Sequence, residues 1–368
     1  NKYHNSKRIS DIDTKNLQTE INNKLSTLEN YILNQFENTI EDTNKDWLKR
    51  TINEYYNPTP VETIPNELIN YFEYFKDHKK SEITVRTEKK YNTIKALLKK
   101  FETSTNKKFL IKDVNENFKK AFEDFCNKNQ YSHNTIARAL RSIKTICKHA
   151  QHNGIEVSHQ LDGLKAKYKK TDNIYLSFED LNTIVVIEPS KLTESLNNAK
   201  DWLIISCYTG QRVSDFMKFN KDQIRIEDGK HLLEFTQKKT NKNMTIPIHK
   251  KVLEILEKRN GHFPKPISDQ KYNDYIKKVC EIAELNEIVK GGKKTETAPE
   301  SKIYRKEVKE FEKWELVTSH IGRRSFASNF YGTIPTTFLI YVTGHSTEKM
   351  FLNYIGKSNK DLALELTK

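Results

Sequence analysis

Long apolar runs are missing from this 368-residue chain. No stretch extends beyond a few residues, so no segment can cross a bilayer as a helix, and no signal peptide pattern is present. Cysteine is scarce. Cys126, Cys147, Cys207 and Cys280 are widely spaced and form no Cys-x-x-Cys pair. That argues against a disulfide framework or a zinc site and suits small buried thiols in a reducing cytoplasm. Internal repeats, heptad arrays and low-complexity tracts are absent as well, which removes solenoids and coiled coils. Acidic residues are in deficit: 49 Asp and Glu face 63 Lys and Arg, for a formal charge of +14. A polyanionic partner follows, with nucleic acid the commonest for a basic protein, although Lys-rich chains are also simply soluble. The chain starts at Asn1 rather than Met, and an N-terminal piece is expected to have been removed.

What is present is mainly helical periodicity. Leu17, Ile21, Leu25, Leu28, Ile32, Phe36 and Ile40 step by three or four residues and predict one long amphipathic helix. Pro58, Pro60 and Pro65 deny the chain a helical continuation and predict a linker. A compact all-helical domain is expected next. Leu68, Ile69, Phe72 and Phe75 mark its first helix, and Tyr91, Ile94, Leu98 and Phe101 its second. Phe118, Phe122 and Phe125 mark the third. The fourth helix runs from Asn134 to Ala150 and is ended by Gly154, with Ile136, Leu140, Ile143, Cys147 and Ala150 on its core face. Arg138, Arg141, Lys144 and Lys148 cover the remaining surface and are the candidate DNA-contacting residues. A second basic stretch, Lys165, Lys167, Lys169 and Lys170, reads equally as a linker crossing a phosphate backbone or as an exposed tether.

The remainder is mixed but mainly helical. Ser177-Phe178-Glu179-Asp180 predicts a capping-box helix start. His231–Phe235 and Met244–Ile248 are short strand candidates joined by a polar turn, Lys239 to Asn243, and predict a hairpin. The stretch Lys290–Lys313, charged and carrying Gly291, Gly292 and Pro299, is expected to be an insertion or a mobile loop.

Four separated pieces carry chemistry together. They are Thr209-Gly210-Gln211-Arg212-Val213-Ser214-Asp215, Lys239-Thr240 in the hairpin turn, His320-Ile321-Gly322-Arg323, and Gly344-His345 followed by Tyr354. Phosphodiester cleavage without a metal needs cations on the non-bridging oxygens. Arginine suits this because its planar fork donates two parallel hydrogen bonds and keeps its charge. Arg212 and Arg323 supply two such forks. A tyrosine hydroxyl can attack phosphorus once its proton is taken. A lysine at a hairpin tip could protonate the departing 5′ oxygen, and His320 and His345 can donate to the phosphate or shuttle protons. Each piece alone is weak: an HxxR spacing arises by chance on many helices, and a turn lysine is usually only a turn lysine. The full set in this order is specific.

That set resembles the catalytic signature of the tyrosine recombinases, the lambda-integrase family: Arg, hairpin Lys, HxxR, a second His and Tyr. The resemblance implies that Arg212, Lys239, His320, Arg323, His345 and Tyr354 are catalytic, with Tyr354 the nucleophile, and that Asp215 orients the site. Lys238 could also reach the turn. Lys239 is preferred because it directly precedes Thr240, as in the family's Lys-Thr pattern. Arg324 is expected to face elsewhere, since adjacent helical residues do not share a face. The wording around Gly344–Lys349 and Phe351–Ile355 is similar to that of integrases of mobile elements, including conjugative transposons, in Bacteroidetes-type bacteria.

The fold class this implies is mainly α with a small β-hairpin or sheet: an all-helical, SAM-like core-binding domain plus an α+β catalytic domain. The expected layout is a long helix in 1–57, a remnant or coupler of an arm-binding region, then a core-binding domain in 58–155. A basic linker in 156–172 and a catalytic domain in 173–368 follow. The implied partner is double-stranded DNA, clamped by a homo-tetramer that cleaves and rejoins strands through a 3′-phosphotyrosine and a Holliday junction. Accessory DNA-bending or excision proteins are further expected partners. No cofactor, metal or membrane is expected, and the expected location is the bacterial cytoplasm and nucleoid. Ser358-Asn359-Lys360-Asp361 can cap a short last helix bearing Leu362 and Leu366, which in the family often docks on a neighbouring protomer. A type IB topoisomerase would share the chemistry but reseal the same strand. The preceding helical domain and the Gly-His spacing favour recombination. A catalytically idle DNA-binding or excision-accessory protein is disfavoured by the intact set.

Overall fold

The computed structural model describes residues 12–38, 43–57, 64–171 and 173–356. Ile40, Pro58, Pro60 and the tail positions Ser358, Asn359, Lys360, Asp361, Leu362 and Leu366, on which expectations were placed, lie outside them. Six helices come first: α1 (Ile12–Asn38), α2 (Lys45–Tyr56), α3 (Leu68–His78), α4 (Val85–Thr105), α5 (Glu116–Lys128) and α6 (His133–His152). Then follow α7 (Phe178–Val185), α8 (Glu194–Thr209), α9 (Val213–Phe216), β1 (Ile224–Glu227), β2 (Lys230–Thr236) and β3 (Asn243–Pro247). The last elements are α10 (Lys250–Lys258), α11 (Asp269–Ile282), β4 (Ile288–Glu296), β5 (Tyr304–Glu312), α12 (Ile321–Asn329), α13 (Thr336–Thr343) and α14 (Glu348–Ile355). The chain falls into two units. One comprises the residues up to Phe118 with Ser142–Leu164, and the other Lys119–Arg141 with Lys165 onward, so the division cuts α5 and α6.

In the first unit α1 is paired with α2 through Tyr31 on Tyr55, ring centroids 5.2 Å apart, and Phe36 on Trp47. Leu17, Ile21 and Phe36 stay exposed while Leu25, Leu28 and Ile32 are half-buried, so half of the described positions of the apolar face read from the sequence are uncovered here. The core of this unit joins Leu68, Tyr71 and Phe72 of α3 to Leu98 and Phe101 of α4 and to Ile143, Cys147 and Ala150 of α6. Those three α6 positions, with Ile136 and Leu140, form the buried stripe its periodicity predicts.

The second unit is organised around α8, which is buried on all sides from Ala199 to Thr209 and is contacted by α7, α10, α11 and α12. α7 begins as predicted: Ser177 Oγ accepts from the Asp180 N–H, and Asp180 Oδ2 accepts from the Ser177 N–H. The predicted hairpin forms with Leu233 opposite Ile246 and Phe235 opposite Met244, all four on the buried face. The sequence reading missed β1, which adds antiparallel to β2. The Lys290–Lys313 stretch is also not a loop. β4 and β5 form a nine-residue antiparallel ribbon, with Lys290 opposite Glu310 and Lys293 opposite Glu307. Val289 stands opposite the buried Phe311, Lys293 pairs with Glu315 beyond the ribbon, and the glycines allow close approach: a Cβ on Gly291 would overlap Leu316. All four cysteines are free and buried, as their spacing suggested.

The α8–α12 contact is as close as backbones allow. A Cβ on Gly322 would lie 1.9 Å from Ser206 Oγ and 2.9 Å from the Ser206 carbonyl carbon. Gly322→Ala is therefore expected to prise α12 from α8 and destabilise the unit by about 2–3 kcal/mol. Differential scanning calorimetry should show Tm lower by roughly 5–10 °C.

Candidate active site

Turn chemistry places the site residues. α8 stops at Gly210, whose φ of 66° is left-handed and whose added Cβ would overlap the Phe326 ring. The chain then turns sharply, and Arg212 becomes the N-cap of α9. His320 caps α12, which puts Arg323 and Arg324 in that helix's first turn. α13 likewise ends on a left-handed glycine, Gly344, and His345 follows it. Thr347 caps α14 by accepting from the Met350 N–H, and Tyr354 lies in the last turn of that helix.

These pieces converge. Tyr354 Oη lies 2.9 Å from His320 Nε2. The His345 ring stands 4.8 Å from the Tyr354 ring, and its Nδ1 is 2.8 Å from Thr343 Oγ1, a contact that pins the imidazole. Arg323 is buried and donates to the Gly210 carbonyl at 2.9 Å. Arg212 makes two long contacts, 3.5 Å to Gln237 Oε1 and 4.0 Å to Asp215 Oδ2. Asp215 is buried, and its Oδ1 accepts from the Lys238 N–H at 2.9 Å, tying the hairpin turn to α9. Lys239 is exposed in that turn. Among the described residues its side chain shares no hydrogen bond, ion pair or ring contact with the others, and its turn is brought near through the Lys238 N–H on Asp215 and the Thr240 hydroxyl on Gln237.

The electrostatics are lopsided. Burial holds His320 down to about 4, helped by the positive charges of Arg324, Arg323, Arg212 and His345. Burial also lowers His345 to about 4, with Arg323 and Arg212 adding to it. Arg323 falls to about 10 through burial and Arg212, and it stays charged at neutral pH. For Tyr354 burial raises the phenol above its ordinary value, while Arg324, Arg323 and Arg212 pull against it. Three guanidiniums with Asp215 as the carboxylate among them make a partly desolvated cationic hollow. Such a hollow suits a group bearing two negative oxygens better than any neutral ligand. Among the described residues no cluster of three or more His, Cys, Asp or Glu side chains could hold a metal ion.

Arg324 departs from expectation. Its guanidinium lies over the Tyr354 ring, 5.4 Å from the centroid, while Nη1 donates to the Ile174 carbonyl at 3.3 Å. A long side chain at a helix start can reach a ring supplied by another helix, and facing rules within one helix say nothing about that. Gln211, Gln237 and Thr343 were also missed as supports, since a lone glutamine or threonine has no sequence signature.

On α6 the four candidate DNA contacts divide. Arg138 is exposed. Arg141 donates to the Ala166 carbonyl and stacks on Tyr168, Lys144 donates to the Asp162 and Leu164 carbonyls, and Lys148 pairs with Asp162. Three of the four thus bind the segment that follows the helix. Lys165, Lys167, Lys169 and Lys170 of that segment are exposed.

A model described as "Phage integrase SAM-like domain" matches residues 67–182, and one described as "Phage integrase family" matches residues 176–360. The chain therefore belongs to the phage integrase family and is a tyrosine recombinase, an enzyme of site-specific DNA recombination. Its fold is similar to that of a lambda integrase dimer bound to a COC′ core site, with a TM-score of 0.58, 15% identity and 86% of each chain covered. A Tn1549 transposon integrase in complex with transposon right end DNA matches with a TM-score of 0.58 and 14% identity, over 82% of this chain and 98% of that one. A lambda integrase tetramer bound to a Holliday junction matches at 0.55 and 14%, over 87% of each chain. No curated protein sequence matches the chain.

Proposed function

We propose that Tyr354 is the nucleophile of this recombinase, with His320 its base, Arg212 and Arg323 the phosphate clamp, His345 a further phosphate donor and Lys239 the acid. The observation that carries this is Tyr354 Oη at 2.9 Å from a His320 held neutral inside the arginine cluster. Oη attacks phosphorus and its proton passes to His320 Nε2. The bond from phosphorus to the 5′ oxygen breaks, and Lys239 delivers a proton to that oxygen. A 3′-phosphotyrosine and a free 5′ hydroxyl result. The covalent link retains the phosphodiester energy, so a 5′ hydroxyl from a partner strand can reverse the step without an external energy source. Asp215 holds the hairpin turn and Arg212 in register. A nicked duplex that traps cleavage, incubated in EDTA, should yield a protein–DNA adduct whose digested peptide carries the DNA on Tyr354. Specific binding without any adduct overturns the assignment.

Arg324 gives this reading a pH signature. His320 accepts a proton only when neutral, so single-turnover cleavage rises with pH through the His320 pKa and flattens above it. Removing Arg324 takes away the largest charge holding that pKa down, so in Arg324→Ala it climbs toward the ordinary histidine value. The acid limb of the rate profile should move to higher pH, with cleavage up to about tenfold slower near pH 5.5 and little changed near pH 8. A uniform loss with no displaced limb means that Arg324 only packs.

DNA is held, in this reading, by Arg138, Arg141, Lys144 and Lys148 of α6 and by the lysines that follow it. The last three α6 cations also order the 162–170 segment against the helix. Binding through phosphates makes affinity fall steeply with salt. The working assembly is a homo-tetramer on two duplexes in the bacterial cytoplasm, serving a mobile element such as a conjugative transposon, aided by accessory DNA-bending or excision proteins. The tail fits a role between protomers. An apolar cavity of about 870 Å³ lies among Tyr208, Ile248, Phe330, Leu339 and Tyr341 beside the exposed Phe338, and Leu362 and Leu366 of a neighbour supply matching side chains. Deleting residues 357–368 should leave binding to a single half-site within about twofold while recombination falls at least tenfold, because only coupling between subunits is lost.

A further inference from the structure

We propose that Gln237, together with Gln211, is a positioning residue that sets the Lys239 turn for proton delivery. This rests on the assignment of Lys239 as the acid. Both glutamines are completely buried. Amides in such a place are costly unless every group is paired, and here the pairing has one solution. Gln211 Nε2 donates to two carbonyls, those of Thr209 and Val342, each at 3.0 Å. Carbonyls only accept, so that end of Gln211 must be its NH2, and its Oε1 faces Gln237. Gln237 therefore presents Nε2 to it, at 3.1 Å. Its own Oε1 is thereby turned toward Thr240 Oγ1, which donates at 2.8 Å, and toward Arg212 Nη1 at 3.5 Å.

The main chain of Gln237 closes the same turn. Its N–H donates to the Lys242 carbonyl, and its carbonyl accepts from the Asn241 N–H, each at 2.9 Å. Gly344 passes so close that an added Cβ would lie 3.3 Å from Gln237 Oε1. One buried amide thus meets the residue after Lys239, the first arginine and the glycine before His345. An exposed lysine on a free turn spreads its ammonium over many positions. Fixing the turn from below by the Thr240 hydroxyl confines it, and small misplacements of a reacting group are costly in rate.

The test separates leaving-group protonation from general damage. Single-turnover cleavage is measured on a nicked duplex with oxygen or with sulfur at the 5′ bridging position. From oxygen the departing group needs a proton. With sulfur the phosphorus–sulfur bond breaks and the thiolate leaves unprotonated. Lys239→Ala should be slowed about 100-fold or more on oxygen and restored on sulfur. Gln237→Met, and Thr240→Val at an exposed position that spares the core, should each lose about tenfold on oxygen. On sulfur both should come within about threefold of the unsubstituted protein. The inference is overturned if Lys239→Ala is rescued by sulfur while the other two are slowed equally on both substrates or not slowed at all. If sulfur fails to rescue Lys239→Ala, the acid is not Lys239 and the inference falls with that assignment.

Discussion

Tyr354→Phe is expected to abolish covalent adduct formation, lowering strand cleavage at least about 10⁴-fold, while binding to the recombination site stays within about twofold. The change removes one oxygen. The ring keeps its place against His345 and under Arg324, and Phe351 of the same helix still anchors α14 in the core. What is lost is the hydrogen bond to His320, worth about 1 kcal/mol at a half-open site, so the folded protein should melt within a few degrees of the original. DNA affinity comes chiefly from phosphate contacts that Tyr354 does not make, so a gel-shift titration should not separate the two proteins. The two measurements must dissociate. Loss of binding along with cleavage would mean that α14 had been displaced. Residual adduct would mean that another hydroxyl attacks, and with 17 tyrosines in the chain the control is worth making. The nicked, bound duplex that remains also separates recombination from supercoil relaxation: supplied with a partner strand, the unsubstituted protein should join it to the cleaved end.

The set of residues proposed to be catalytic could be picked out of the sequence because phosphodiester chemistry dictates residue types and the chain order is distinctive. Arg212, His320, Arg323, His345 and Tyr354 are brought together, and the hairpin that carries Lys239 forms with the register its alternation implies. The supporting parts were not legible, for physical reasons. Arg324 reaches Tyr354 across two helices, and only their packing reveals that contact. Gln211 and Gln237 acquire meaning through two amides in one buried gap, which no spacing rule encodes. The β4–β5 ribbon was read as a loop because charged residues crowd its strands and blur the alternation of apolar with polar residues, and because paired glycines usually mark turns. Val289 opposite Phe311, Lys293 on Glu315 and Leu316 under Gly291 hold it with only a small apolar face. On α6 the helical period showed which side is basic. It could not show that Arg141, Lys144 and Lys148 spend their donors on the following segment.

Arg323→Lys should be the most damaging change that conserves charge, costing cleavage about 10²–10³-fold, the order seen when a preorganised oxyanion donor is removed. Arg323 is almost wholly buried, and one of its nitrogens is committed to the Gly210 carbonyl, which fixes the guanidinium plane against the end of α8. The fork then has its remaining donors set before any DNA arrives. Lysine carries a point charge on a flexible stem and can serve the carbonyl or the phosphate in good geometry, but not both. Burial and Arg212 already pull the guanidinium down to about 10, and a lysine in the same place starts from a lower ordinary value. Part of the charge would be lost near neutral pH. The deficit should therefore shrink in acid, where the lysine is fully protonated, until His320 itself takes up a proton. Single-turnover cleavage measured between pH 5 and 8 tests this. A deficit that narrows toward pH 5 identifies the lost charge, and one that is constant identifies the lost fork. No deficit at either end would mean that Arg323 holds Gly210 in place and leaves the phosphate to Arg212.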